Sequence, residues 1–234
     1  PEFIELLSAL PSEACELPRA GSLAAELAVV LWAELEINPL LLPGENVLDP
    51  AALFGVGEKK TRISVINLAG LGSVGNQLHF VNSLSAHLYV WLKKNPKEMR
   101  GLCVFDEAKE FIPSGRSTAT KETLRRFAAQ GRKYGVGMVF ATQLPRNVDH
   151  EIVGNCKNHF YGRATSPAAL DTIKGLIQER GGNAMGVGTL ERGIFYAATE
   201  GVSAPVKMKT PLCLSYHPAM PLTEDEVIQR AKKQ

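Results

Sequence analysis

Two adjacent carboxylates close an apolar run, Leu102-Cys103-Val104-Phe105-Asp106-Glu107. That order is what a strand needs in order to deliver acids to the ligand-binding edge of an open α/β sheet. In a nucleotide hydrolase such a pair divides the work. The first acid, Asp106, would hold the Mg²⁺ shell on the phosphates, because hard Mg²⁺ keeps its waters and takes few protein carboxylates. The second, Glu107, would orient and polarise the attacking water. Strand ends also carry acids merely for solvation, so the doublet by itself leaves both readings open.

A second apolar run over residues 137–142 ends in Gln143. Neighbouring parallel strands present their terminal side chains on one rim, so Gln143 would sense the γ-phosphate or the lytic water; its plainer role is loop hydrogen bonding before Pro145. Between the two runs lies Gln130-Gly131-Arg132-Lys133-Tyr134-Gly135, at the end of an amphipathic segment. Cations there complement the negative end of a helix dipole. The sharper reading makes Arg132 an arginine finger, aimed at phosphoryl charge in a neighbouring subunit's nucleotide.

A third motif, Gly70-Leu71-Gly72-Ser73-Val74-Gly75, is a literal G-x-G-x-x-G between an expected strand and an expected helix. A dinucleotide fingerprint also wants an acid roughly 20 positions further on. The next strand ends at Asp106, 31 positions after Gly75, which favours a plain strand-to-helix turn. A dinucleotide-binding oxidoreductase using Gly70–Gly75 stays as the lesser alternative.

The elements that must position these residues follow from periodicity. Apolar runs at 63–68, 102–105, 138–142 and 160–163 alternate with helical segments at 73–93, 118–133 and 167–178, the pattern of a parallel sheet covered by helices. Residues 193–198 and 206–214 read as strands of an antiparallel extension, and Thr223 with Glu226 forms a capping box opening a last helix that ends in Lys232 and Lys233. Residues 1–50 read as one or two helices punctuated by Pro11, Pro18, Pro39, Pro43 and Pro50. The expected organisation is an acidic helical appendage over 1–60, an α/β core over 61–180, and a β extension with a terminal helix over 181–234.

From 101 to 163 the stretches LCVFDEAKEFIPSG, RRFAAQGRKYGVGMVFATQLPRNVDHEIVGNC and HFYGRA resemble the C-terminal half of HerA/FtsK-superfamily P-loop ATPases, above all HerA-like DNA translocases. With the flanking RISVINLAGL and ERGIFYA segments the likeness covers roughly residues 61–210. The resemblance implies a RecA-like P-loop NTPase core, ATP with Mg²⁺ between subunits, and a homo-oligomer in the form of a hexameric ring around DNA. It also leaves room for a nuclease partner. Matched position by position, Asp106 and Glu107 fall on the Walker B pair with Asp106 toward the metal, Gln143 on the polar sensor and Arg132 on the arginine of GRKYG. Arg163 falls on a second phosphate contact. No G-x-x-x-x-G-K-[ST] occurs in the 234 residues, so the phosphate cradle and its lysine are missing and the chain should not hydrolyse ATP by itself. Pro at position 1 and the missing strand together make the expectation a partial core, the C-terminal part of a larger ATPase. Omitting that strand, which in the family lies between the sensor strand and the next, would leave unpaired edges and apolar surface. A noncatalytic DNA- or subunit-binding assembly module is the alternative.

Charge sharpens the division. Residues 1–60 hold three Lys/Arg against ten Asp/Glu, whereas 116–163 hold nine against three, a surface suited to polyanions. Cys15, Cys103, Cys156 and Cys213 are widely spaced and the five histidines show no ligand spacing, so no metal cage is expected from them, and a reducing cytoplasmic setting is the natural reading. The apolar stretch 23–42 is interrupted by Glu26, Glu34 and Glu36, which argues against a membrane span.

Overall fold

The computed structural model describes residues 2–37, 48–57, 59–97, 99–214, 220 and 222–231. Two compact units are present, Pro1–Asp49 and Pro50–Gln234. In the first, helix α1 (Glu2–Ser8) packs on α2 (Ala20–Ile37). Small Ala24 and Ala28, one turn apart, are buried together with Ile4, so the two backbones approach closely. Apolar residues run all round α2, and Leu23, Leu27, Val29 and Val30 remain exposed. The expected Pro39 and Pro43 breaks, and Lys232 and Lys233 at the end of the last helix, lie outside the described residues.

The second unit is α/β. Helix α3 (Pro50–Leu53) precedes α4 (Val74–Lys94), strand β1 (Gly101–Phe105), α5 (Ala119–Gln130) and β2 (Val136–Phe140). Strands β1 and β2 pair in parallel, Gly101 opposite Val136 through Phe105 opposite Phe140. One face of this pair is packed. Cys103 and Met138 sit against Leu88, Leu92, Phe127 and Tyr134, while Phe105 and Phe140 sit against Ile112, Leu124 and Ile152. Alternation along the strands turns Leu102 and Val104 to the opposite side, where they are 59% and 65% exposed. Side-chain hydrogen bonds from Thr120 Oγ1 to Leu78 O and from Thr123 Oγ1 to Asn82 Oδ1 tie α5 to α4.

Helix α6 (His150–Asn155), strand β3 (His159–Tyr161), α7 (Pro167–Glu179), β4 (Ile194–Ala198), β5 (Val206–Lys209) and α8 (Glu224–Ala231) complete the unit. Strands β3, β4 and β5 form a separate antiparallel sheet, packed through Tyr161 and Tyr196 on Ile173 and Ile177 of α7. The expected capping box is present: Thr223 N–H donates to Glu226 Oε2 at 2.8 Å.

Two expectations need correction. The 63–68 run belongs to no sheet among the described residues, and Ile63 and Val65 are 86% and 85% exposed. A β-branched run has strand propensity, yet a strand exists only when a neighbour completes its ladder. The run near residue 160, expected beside the parallel strands, instead pairs antiparallel with β4. Among the described residues strand β2 is bonded to β1 alone, so the sheet is interrupted between β2 and β3.

Candidate functional site

The carboxylate doublet follows directly on β1, and Gln143 stands three residues beyond β2. Backbone bonds carry the register past both strand ends: Ala141 N–H donates to Phe105 O at 2.9 Å and Ala108 N–H to Ala141 O at 2.8 Å. Between those two anchors the chain must fold sharply. Glu107 does so in the left-handed region, with φ 47° and ψ 48°. For a residue with a Cβ that conformation costs on the order of 1–2 kcal/mol. Asp106 helps fix the turn, its Oδ1 accepting from Glu107 N–H at 3.0 Å.

The turn brings Glu107 to Gln143. Gln143 Nε2 donates to Glu107 Oε1 at 2.6 Å. The second carboxylate oxygen, Oε2, is shielded from solvent and has no hydrogen-bond partner among the described residues. A buried acceptor left open costs stability until a donor arrives, so this atom is poised to take a proton-bearing group such as water. Asp106 is exposed beside it. Among the described residues no three His, Cys, Asp or Glu side chains gather as a metal cage. One exposed carboxylate at a strand end nevertheless suits Mg²⁺, which takes most of its remaining ligands from water and phosphate.

Arg132 is not brought to this rim. It lies in a 3-10 turn, Gly131–Tyr134, that feeds the opposite end of β2. Five residues of strand separate the two ends, roughly 16 Å at about 3.3 Å per residue. The GRKYG segment is built to hold that turn. Gly135 has φ 81°, its carbonyl accepts from Arg100 N–H at 2.6 Å, and a Cβ there would lie 2.3 Å from Lys97 O. Tyr134 is buried, which leaves Arg132 and Lys133 pointing to solvent. Arg163, just beyond β3, is exposed as well and belongs to the other sheet's end.

The glycine motif is occupied by its own chain. Ser73 caps α4, accepting from Asn76 N–H at 3.1 Å, while Asn76 and Gln77 donate to the carbonyls of Leu71 and Leu68. Among the described residues no strand precedes it, so the strand-turn-helix setting of a dinucleotide fingerprint is not formed there.

One polar network was not foreseen. Asp149, 4% exposed, caps α6 by accepting from Ile152 N–H at 3.1 Å. It also meets Lys121 Nζ at 3.1 Å and Arg125 Nη2 at 2.9 Å. Burial pushes the Asp149 carboxyl up, but hydrogen bonds from Arg125, Lys121 and Ile152 N–H outweigh it and bring it down to about 2. Lys121, equally buried, donates to the carbonyls of Pro113 and Arg116. Its signals in the sequence were an Asp opening a helix and two cations one turn apart at 121 and 125.

Comparison with known proteins places this geometry. No family model matches the chain. Over 170 residues it is 25% identical to the DNA double-strand break repair helicase HerA of Sulfolobus acidocaldarius, covering 67% of this chain and 33% of that one. Over 64 residues it is 36% identical to "Probable helicase MJ1565" of Methanocaldococcus jannaschii, covering 27% of this chain and 12% of that one. The chain is related to HerA/FtsK-like P-loop ATPases over part of its length. It spans about a third or less of these relatives. In fold it resembles the genome packaging NTPase B204 of Sulfolobus turreted icosahedral virus 2, solved with ATP-gammaS, with a TM-score of 0.50 at 18% identity, covering 72% of this chain and 74% of that one. The likeness is one of fold, an α/β unit with a parallel strand pair and packed helices. Among the described residues no helix is long and apolar enough to cross a membrane.

Proposed function

We propose that the chain supplies the Walker B, sensor and arginine-finger half of an ATP-hydrolysing, HerA-like DNA translocase. The observation that carries this reading is the 2.6 Å contact between Gln143 and Glu107, which leaves Glu107 Oε2 buried and open. Gln143 fixes the carboxylate's rotation, and the free oxygen is directed to accept a proton from an attacking water. Asp106 would hold Mg²⁺ together with phosphate oxygens of ATP; the ion supplies charge neutralisation at the phosphates when bound. The phosphate loop has to come from polypeptide outside these 234 residues, which contain no Walker A sequence.

Arg132 and Glu107 stand at opposite ends of one sheet, so a single subunit does not place both on one triphosphate. A ring resolves this: Arg132 of one subunit faces the nucleotide beside Glu107 of the next, with Arg163 as a second phosphate contact. We assign the assembly as a homo-oligomeric ring, hexameric in keeping with the resemblance, working on DNA in the cytoplasm. The break in the sheet between β2 and β3, where β2 has no second ladder partner among the described residues, supports a missing strand supplied from elsewhere.

The test joins this chain to a Walker A-bearing N-terminal half and measures DNA-stimulated ATP hydrolysis. Turnover is expected in the joined protein and not in the chain alone, with Glu107→Gln and Arg132→Ala each abolishing it. Undiminished turnover in both variants would overturn the roles assigned here.

A further inference from the structure

The loop after β1 and the turn after β2 run side by side. Pro113 and Val148 form an isolated antiparallel bridge, and Ser114 N–H donates to Asn147 O at 2.9 Å. Beneath them the buried Lys121 ammonium holds the carbonyls of Pro113 and Arg116 and is itself held by Asp149. The two segments border an open hollow of about 460 Å³, lined by Lys109, Glu110, Ser114, Arg116, Leu144 and Asn147 among others. A loop fixed in this way pays little ordering entropy when a ligand arrives.

The lining's side chains are mainly donors, with Glu110 as its one carboxylate. The Ser114 hydroxyl, the Asn147 amide and the Arg116 guanidinium make no hydrogen bond to another described residue, while Lys109 is paired with its exposed neighbour Glu110 and also attracted by Glu107. Charge bookkeeping over 116–163 explains why the guanidinium is available. The three acids of that stretch, Glu122, Asp149 and Glu151, all meet Arg125, and Asp149 also meets Lys121. Arg116, in the lining, and Arg146, next in sequence to the lining residue Asn147, are exposed and pair with no carboxylate among the described residues. Amide and hydroxyl donors around an anchored hollow, with Arg116 as the cation left over once Lys109 and Glu110 have paired, fit the oxygens of phosphate groups.

We propose that this hollow binds the phosphodiester backbone of a nucleic-acid strand, with Arg116 as its principal contact and Ser114 and Asn147 as its neutral donors. The proposal rests on the reading of the chain as part of a DNA-handling ATPase. It adds the place where the polymer touches. Lys109 stands two residues beyond Glu107, and Leu144 directly follows Gln143, so a strand seated here presses on the same two turns that hold the Glu107–Gln143 pair. Occupancy of the hollow is thereby felt at the hydrolytic carboxylate.

The experiment uses the whole 234-residue chain and fluorescein-labelled 30-nucleotide DNA, single-stranded and duplex, with binding read by anisotropy at two salt concentrations. Arg116→Ala is compared with Arg126→Ala, which removes the same charge from an exposed site on α5, and both are checked for an unchanged thermal melt. Arg116→Ala should weaken binding about fivefold or more and lower the salt slope by about one phosphate contact, with Arg126→Ala changing affinity less than about twofold. A Ser114→Ala/Asn147→Ala double variant should weaken binding with the salt slope unchanged. Equal losses for Arg116→Ala and Arg126→Ala would overturn the site while leaving the DNA-handling reading in place. No binding by the parent chain would overturn that reading together with the site. Inorganic tripolyphosphate, titrated in parallel, distinguishes the other source of phosphate: binding of it that depends on Arg116, with DNA binding indifferent to Arg116, would overturn the nucleic-acid assignment. The same holds if Arg116 is needed only to capture a peptide of the acidic residues 1–49.

Discussion

In the proposed hydrolysis Glu107 is the residue on which the chemistry turns, and its environment predicts how its variants differ. Gln143 restrains one carboxylate oxygen and the other stays open. Glu107→Gln keeps the shape of the side chain and its contact with Gln143 but removes the negative acceptor, so in the joined protein it should lower turnover by a factor on the order of 100 or more with the melt unchanged. Gln143→Ala leaves the charge and removes only the restraint; a loss of about tenfold, with little change in nucleotide affinity, is the expected result. Steady-state kinetics with both variants checks the ordering. If Gln143→Ala proved the more damaging of the two, the amide rather than the carboxylate would be the group acting on water.

Among the elements, the clamp around Asp149 binds α5, α6 and the 113–116 loop into one piece, and its stability is readable by pH. The carboxyl lies at about 2 in the folded chain, below its ordinary 3.8, so its contribution is complete above about pH 4 and fades as pH falls toward 2. The amount is roughly 2 kcal/mol. Urea denaturation at pH 6, 4 and 2.5 should show that loss in the parent and a flatter profile in Asp149→Asn, itself destabilised by about 3 kcal/mol at pH 6 because Lys121 is left buried and unpaired. Gly135→Ala tests the other end of the sheet. With φ 81° and a Cβ only 2.3 Å from Lys97 O, it should cost at least about 2 kcal/mol by the same measurement. These elements also show what a sequence can and cannot disclose. Periodicity located α4, α5, α7 and the β1–β2 pair, because each buries one regular face against a neighbour within the chain. It placed a strand at 63–68 where none forms, since propensity says nothing about whether a partner edge is at hand. The Asp106-Glu107-Gln143 rim was legible because parallel strands bring their C-terminal ends together. The clamp and the hollow were not, for they depend on which side chains meet across two loops of unlike sequence.

At the scale of the whole molecule, Arg132 and Glu107 lie at opposite ends of β2, and that polarity makes a prediction about mixtures. If Arg132 serves the neighbouring subunit, each ring interface needs an intact Glu107 from one side and an intact Arg132 from the other. Joined proteins carrying Glu107→Gln alone or Arg132→Ala alone should both be inactive. Mixed in equal amounts and allowed to exchange subunits, they restore the intact combination at about one interface in four, because each interface draws its two sides independently. ATP turnover in the mixture should therefore rise to a clear fraction of the parent rate. An arginine acting within its own subunit gives no such rescue: every subunit would still lack one of the two groups, and the mixture would stay at the average of its inactive components.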